Sequence, residues 1–77
     1  MQIKVTYFGM LAEITKCSSE RLVISGEGIS ALKSTLLNKY PNFLNKDFRI
    51  AQNQELVSDS TKLTGEEIAI LPPFAGG

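Results

Sequence analysis

The six residues Pro72-Pro73-Phe74-Ala75-Gly76-Gly77 carry the chemistry that this chain can offer. The two prolines hold the backbone extended, because each ring fixes its own φ and restricts the residue before it. Gly76 and Gly77 have no Cβ, so they accept most backbone angles and fit a channel too narrow for a side chain. At about 3.3 Å per residue, the six span about 20 Å. The pattern predicts an extended, flexible C-terminal arm over 72–77 that ends on a slim carboxylate at Gly77. Such geometry suits a protein whose reactive group is its own C-terminus, processed inside another protein's active site.

Gly-rich ends commonly fray and do nothing. Two features set this one apart. The arm follows the apolar run Ile68-Ala69-Ile70-Leu71, which reads as a buried strand and anchors the arm at its base. It also places a large aromatic, Phe74, between the prolines and the glycines, and an exposed Phe calls for a partner that buries it.

Nothing else in the chain competes with that carboxylate. There is no histidine, so the usual general base and metal ligand near neutral pH are missing. The single cysteine, Cys17, excludes an internal disulfide and any zinc or iron–sulfur site built from several cysteines. It lies in the polar stretch Lys16-Cys17-Ser18-Ser19-Glu20, expected to be a loop, and reads as an incidental surface thiol. Eight basic and eight acidic residues cancel and form no block of one sign. Nucleic-acid binding by counterion release needs a basic surplus, so no nucleic-acid partner is expected.

The 77 residues make one small domain, and 43% hydrophobic residues are enough for a core. No apolar run is long enough to span a bilayer. Met1-Gln2-Ile3-Lys4-Val5 starts on a strand-like alternation rather than a signal peptide. The expected setting is cytoplasmic, with no membrane partner.

The elements that must position the arm follow from periodicity. Ile3, Val5 and Tyr7 share one face of a first strand, Gln2 to Phe8, and Gly9 punctuates it. Met10 to Ile14 fits one or two helical turns. Arg21 to Ser25 alternates again and gives a second strand, antiparallel to the first. From Ile29 to Tyr40 the period becomes helical: Ile29, Leu32, Leu36 and Tyr40 form a stripe with Leu37 beside it. Pro41 stops that helix. In the polar connection Asn42 to Asp47, Phe43 and Leu44 are expected to tuck under the helix end. Phe48 to Gln52 predicts a third strand, Asn53-Gln54 a turn, Glu55 to Val57 a short return strand, and Ser58 to Thr61 another turn. Leu63 should dock on the core, and Gly65 should turn the chain into a last strand, Glu66 to Leu71.

The order is therefore β-β-α-β-β-β. A helix crossover between strands of one sheet leaves some of them parallel, so the first and last strands are expected side by side. One main helix on one face of a mixed sheet is an α+β roll. Ile68 and Ile70 should face the helix. Phe8, Ala69 and Leu71 should face the open side, beside the root of the arm. They serve there either as a docking patch or as local cover for the sheet edge and the short helix.

At this point the chain resembles a known family: the small, sulfur-carrier subunit of molybdopterin synthase, among the β-grasp, ubiquitin-like sulfur carriers. Ile68-Ala69-Ile70-Leu71-Pro72-Pro73-Phe74-Ala75-Gly76-Gly77 is similar to that subunit's C-terminus. Val5-Thr6-Tyr7-Phe8-Gly9 resembles its first strand and Ala51-Gln52-Asn53-Gln54-Glu55 its hairpin. Leu63-Thr64-Gly65-Glu66-Glu67-Ile68 resembles its approach to the final strand, with Glu66 where Asp is more usual. The resemblance runs over the whole chain. It implies a β-grasp domain over 1–71 and an arm over 72–77.

It also implies a chemistry. A ubiquitin-activating-like adenylating enzyme uses ATP to turn the Gly77 carboxylate into an acyl-adenylate. Sulfur from a donor protein replaces AMP and leaves a thiocarboxylate. The arm then enters the large synthase subunit, where the sulfur attacks cyclic pyranopterin monophosphate to build the dithiolene of the molybdenum cofactor. The implied assembly is two small and two large subunits. This chain would be a non-catalytic sulfur-donor subunit that binds no cofactor or metal stably. Gly77 would carry the reacting group, with Gly76 giving clearance behind it. Phe8, Leu71, Pro72, Pro73, Phe74 and Ala75 would meet partners. A sulfur carrier for thiamin thiazole synthesis, a ubiquitin-like modifier joined to lysines, and a binding module with an inert tail are the alternatives.

Overall fold

The structure, a computed structural model, describes residues 1–45 and 47–72, with the side chains of Leu44 and Asn45 outside the description. The elements run β1 (Gln2–Tyr7), α1 (Met10–Thr15), β2 (Ser19–Val23), α2 (Ile29–Lys39), a 3-10 turn (Pro41–Asn45), β3 (Arg49–Gln52), β4 (Glu55–Leu56) and β5 (Ile68–Leu71). The strands form one mixed sheet in the order β2-β1-β5-β3-β4. β1 and β5 are parallel, with Val5 opposite Ile68, Thr6 opposite Ala69 and Tyr7 opposite Ile70. β1–β2, β3–β4 and β3–β5 are antiparallel. This is the expected α+β roll, with the strand that leads into the arm held at the centre of the sheet.

The alternation in β1 buries Ile3, Val5 and Tyr7, while Gln2 and Lys4 stay exposed. Ile68 and Ile70 of β5 are fully buried on the same face. The α2 stripe covers that face through Ile29, Leu32 and Leu36, all with no exposed surface. Tyr40, the fourth expected member, is half-buried just past the helix. Phe43 tucks under the helix end as expected and packs edge-on to Tyr7. Leu44, expected beside it, lies outside the described side chains. Leu63 docks on the core, and its N–H donates to Glu27 O at 2.6 Å.

Several boundaries differ from expectation, each for a physical reason. β2 begins at Ser19, two residues before the expected Arg21, because Ser19 and Glu20 pair with Thr6 and Val5 despite their polarity. It ends at Val23, although Ile24 and Met1 still exchange backbone hydrogen bonds. β5 begins at Ile68, so Glu66 and Glu67 precede the strand rather than start it. At the start of the expected polar connection, Pro41–Asn45 form a 3-10 turn. Cys17 is half-buried against the core, which corrects its reading as a surface thiol. No helix among the described residues is long and apolar enough to cross a membrane.

Candidate functional site

The arm leaves the sheet at Leu71 and Pro72, both half-buried. Phe8 N donates to Ile70 O at 3.0 Å, which carries the β1–β5 ladder one step past the end of β1 and brings Phe8 next to Leu71. Gly9 follows at φ 61°, ψ −138°, a conformation reserved for glycine. Pro72 packs on this bend. A Cβ placed at Gly9 would sit 2.9 Å from Pro72 Cγ, so a side chain there would push on the first residue of the arm. In the sequence Gly9 reads as simple punctuation. The Gly beside a strand end was the available signal, but its contact sixty-three positions along was not legible.

Of the residues expected to meet partners, Phe8 is 45% exposed. Leu71 lies on the sheet face opposite α2, as the burial alternation of β5 requires. Pro72 packs against its own chain at Gly9 and stays partly exposed. Pro73, Phe74 and Ala75, and the expected reacting pair Gly76 and Gly77, lie outside the described residues.

Phe8 and Ala69 do share the open side of the sheet, where they line a shallow groove of about 380 Å³ with Ala51, Asn53, Gln54, Glu66 and Glu67. The groove exists because Ala51 and Ala69 stand opposite each other in register and offer only methyl groups. Asn53 and Gln54, both at positive φ in the β3–β4 turn, form one wall. Glu67 is oriented by Thr6, whose hydroxyl donates to it at 2.5 Å.

Two polar clusters brace the site from the core side. The carboxylate of Glu20 accepts from Tyr7 at 2.7 Å, from Tyr40 at 2.5 Å and from Lys39 at 2.6 Å. Burial pushes the Glu20 carboxyl upward, but the hydrogen bonds from Lys39, Tyr40 and Tyr7 outweigh it and hold the group below its ordinary range. The same burial, with the Glu20 charge, pushes both tyrosine hydroxyls well above theirs. The buried amide of Gln52 clasps the segment before β5. Its Nε2 donates to Lys62 O at 3.0 Å and its Oε1 accepts from Thr64 N at 3.1 Å. Among the described residues, no group of three or more His, Cys, Asp or Glu is placed to hold a metal ion.

Comparison with known proteins agrees with this arrangement. Residues 5–77 match the ThiS family. A Pyrococcus furiosus protein assigned as molybdopterin converting factor, subunit 1, superposes with a TM-score of 0.88 at 21% identity, over 95% of this chain and 98% of that one. Small archaeal modifier protein 1 from Haloferax volcanii gives 0.81 at 19% identity over all of both chains. The solution structure of its Methanosarcina acetivorans counterpart gives 0.78 at 24% identity, over 99% of this chain and 96% of that one. At these identities the likeness to solved structures is one of fold, the ubiquitin-like β-grasp. The chain belongs to the ThiS family, and with it to the sulfur-carrier-like β-grasp proteins.

Proposed function

We propose that this ThiS-family protein is the sulfur-carrier subunit of a molybdopterin synthase, and that Gly77 carries the sulfur. The observation that supports this reading is the continuity of β5 with the arm: a central, fully paired strand runs straight into Pro72-Pro73-Phe74-Ala75-Gly76-Gly77. A rigid base and a slim tip suit delivery of one functional group into another protein's site.

A carboxylate is a poor electrophile, so it must first be activated. The Gly77 carboxylate attacks the α-phosphorus of ATP in a partner adenylating enzyme, giving the acyl-adenylate and pyrophosphate. Hydrosulfide adds to the acyl carbon and AMP leaves, giving the thiocarboxylate; a donor protein's persulfide reaches the same product through an acyl disulfide that a thiol then cleaves reductively. In the large subunit, that sulfur displaces an oxygen from a side-chain carbon of cyclic pyranopterin monophosphate, the C–O bond breaking as the C–S bond forms; water then cleaves the acyl–sulfur bond and restores the carboxylate, and a second charged carrier supplies the second sulfur. Catalysis comes from proximity and from partner donors, because this chain brings no general base of its own. Phe8 and Leu71 act as the docking surface at the arm's root, where a partner would bury them.

The fold likeness to small archaeal modifier proteins supports a second reading, in which Gly77 forms an isopeptide bond with lysines. Both uses start from the same acyl-adenylate and differ in the nucleophile. The test is to charge the protein with sulfur, then supply the large subunit and cyclic pyranopterin monophosphate. Formation of the dithiolene with loss of sulfur from the carrier supports the synthase reading. A ladder of conjugates in cell extract, without dithiolene, favours the modifier.

A further inference from the structure

The groove on the open sheet face has features that docking through Phe8 and Leu71 does not use. Its floor is apolar, made by the facing methyl groups of Ala51 and Ala69, and one wall is the exposed ring of Phe8. Two exposed carboxylates, Glu66 and Glu67, also line the groove. The only salt bridges among the described residues are Lys33–Asp59 and Lys39–Glu20, so neither groove carboxylate is held in a direct ion pair with a described basic group. Thr6 holds Glu67 in place by its hydroxyl. Lys4, Arg21 and Arg49 belong to neighbouring strand positions, and none lines the groove.

An apolar floor, an aromatic face and two carboxylates free of direct ion pairs together complement one kind of side chain. An arginine lays its aliphatic stem along methyl groups, stacks its guanidinium on an aromatic ring and offers paired donors to a carboxylate. We propose that this groove receives an arginine side chain projected by a protein partner. An anion is disfavoured by the two carboxylates, and a purely apolar side chain would leave them facing it. The groove adjoins the Phe8–Leu71 patch at the root of the arm, so the arginine would fix the register of a partner docked there. Only the identity of that partner rests on the function proposed above; the groove and its chemistry stand without it.

The test is a titration of isotope-labelled full-length protein with a capped Gly-Arg-Gly peptide, followed by amide chemical shifts. A capped Gly-norleucine-Gly peptide is the apolar control. The proposal expects saturable shifts confined to Phe8, Ala51, Ala69, Glu66 and Glu67 with the arginine peptide. Both glutamates are exposed, so the double variant Glu66→Gln/Glu67→Gln should fold normally and weaken the arginine peptide about fivefold, the scale of two exposed ion pairs. The norleucine peptide should be indifferent to that substitution. Shifts scattered over the surface, no saturation, equal response to both peptides or unchanged affinity in the double variant would each overturn it. Sulfur loading of Gly77 is a separate readout, so failure here and failure of the carrier function are distinguishable.

Discussion

The N–H of Phe8 donates to the carbonyl of Ile70 at 3.0 Å, and this bond joins the exit of the first strand to the root of the C-terminal arm. It places an exposed aromatic ring beside Leu71 on the side of the sheet that the helix does not cover. Removing the Phe8 ring should therefore separate binding from folding. Phe8 is 45% exposed, so Phe8→Ala is expected to cost about 1–2 kcal/mol for the buried part of the ring and to leave the protein folded. The same change should weaken binding of the adenylating partner by about tenfold or more, the range of an aromatic interface anchor. Thermal unfolding and calorimetric titration of the two proteins check this.

Gly76→Ala alters only the tip of the arm. Its melting temperature should match that of the unsubstituted protein, while sulfur acceptance and donation fall to background, because a methyl group enters a channel sized for glycine. A normal transfer rate in Gly76→Ala would remove the clearance role.

Gln52 is buried, and both ends of its amide hold the segment that feeds β5. Gln52→Ala removes the partner of Thr64 N–H and of the Lys62 carbonyl. The expected loss is about 1–3 kcal/mol, the cost of stranding buried polar groups. Denaturant unfolding measures it, and a loss within error would mean that water replaces the clasp.

The Glu20 cluster gives the fold a pH signature. Hydrogen bonds from Lys39, Tyr40 and Tyr7 hold the Glu20 carboxyl below its ordinary value of 4.5 against the upward push of burial. A depressed folded-state pKa means that the stabilisation is present in full above the ordinary carboxylate range and is lost as pH falls below it. Glu20→Gln should flatten that acid limb of the stability curve. The alkaline side has the opposite sign. Tyr7 and Tyr40 are the only tyrosines and both are raised above 10, so their stabilisation is present below pH 10 and declines as pH rises past it. Ultraviolet titration should show no tyrosinate near pH 10 while the protein is folded.

Much of this architecture was legible in the order of residues. The alternation Ile3-Val5-Tyr7 and the stripe Ile29-Leu32-Leu36 mark the two surfaces that face each other in the core. A helix crossover between strands of one sheet implies the parallel β1–β5 pair. What stayed hidden depends on pairings between distant positions. Glu20 looks like a loop residue because a charge is costly in a buried setting, and its partners Tyr7, Lys39 and Tyr40 come from two other parts of the chain. Gln52 falls in the expected third strand, but nothing local points to Lys62 and Thr64 as its partners. Gly9 gave a turn, whereas its close approach to Pro72 exists only once β1 and β5 are neighbours. Glu66 and Glu67 fell outside β5, since its pairing with β1 and β3 starts at Ile68.

The most direct test of the carrier role is the intact mass of the full-length protein after incubation with ATP, a sulfide source and the adenylating enzyme of its own cell. A protein lacking 72–77 is the control. The account predicts a mass gain equal to one sulfur replacing one oxygen, localised to Gly77 and absent from the control. An unchanged mass, with the adenylating enzyme active on another substrate, would contradict it.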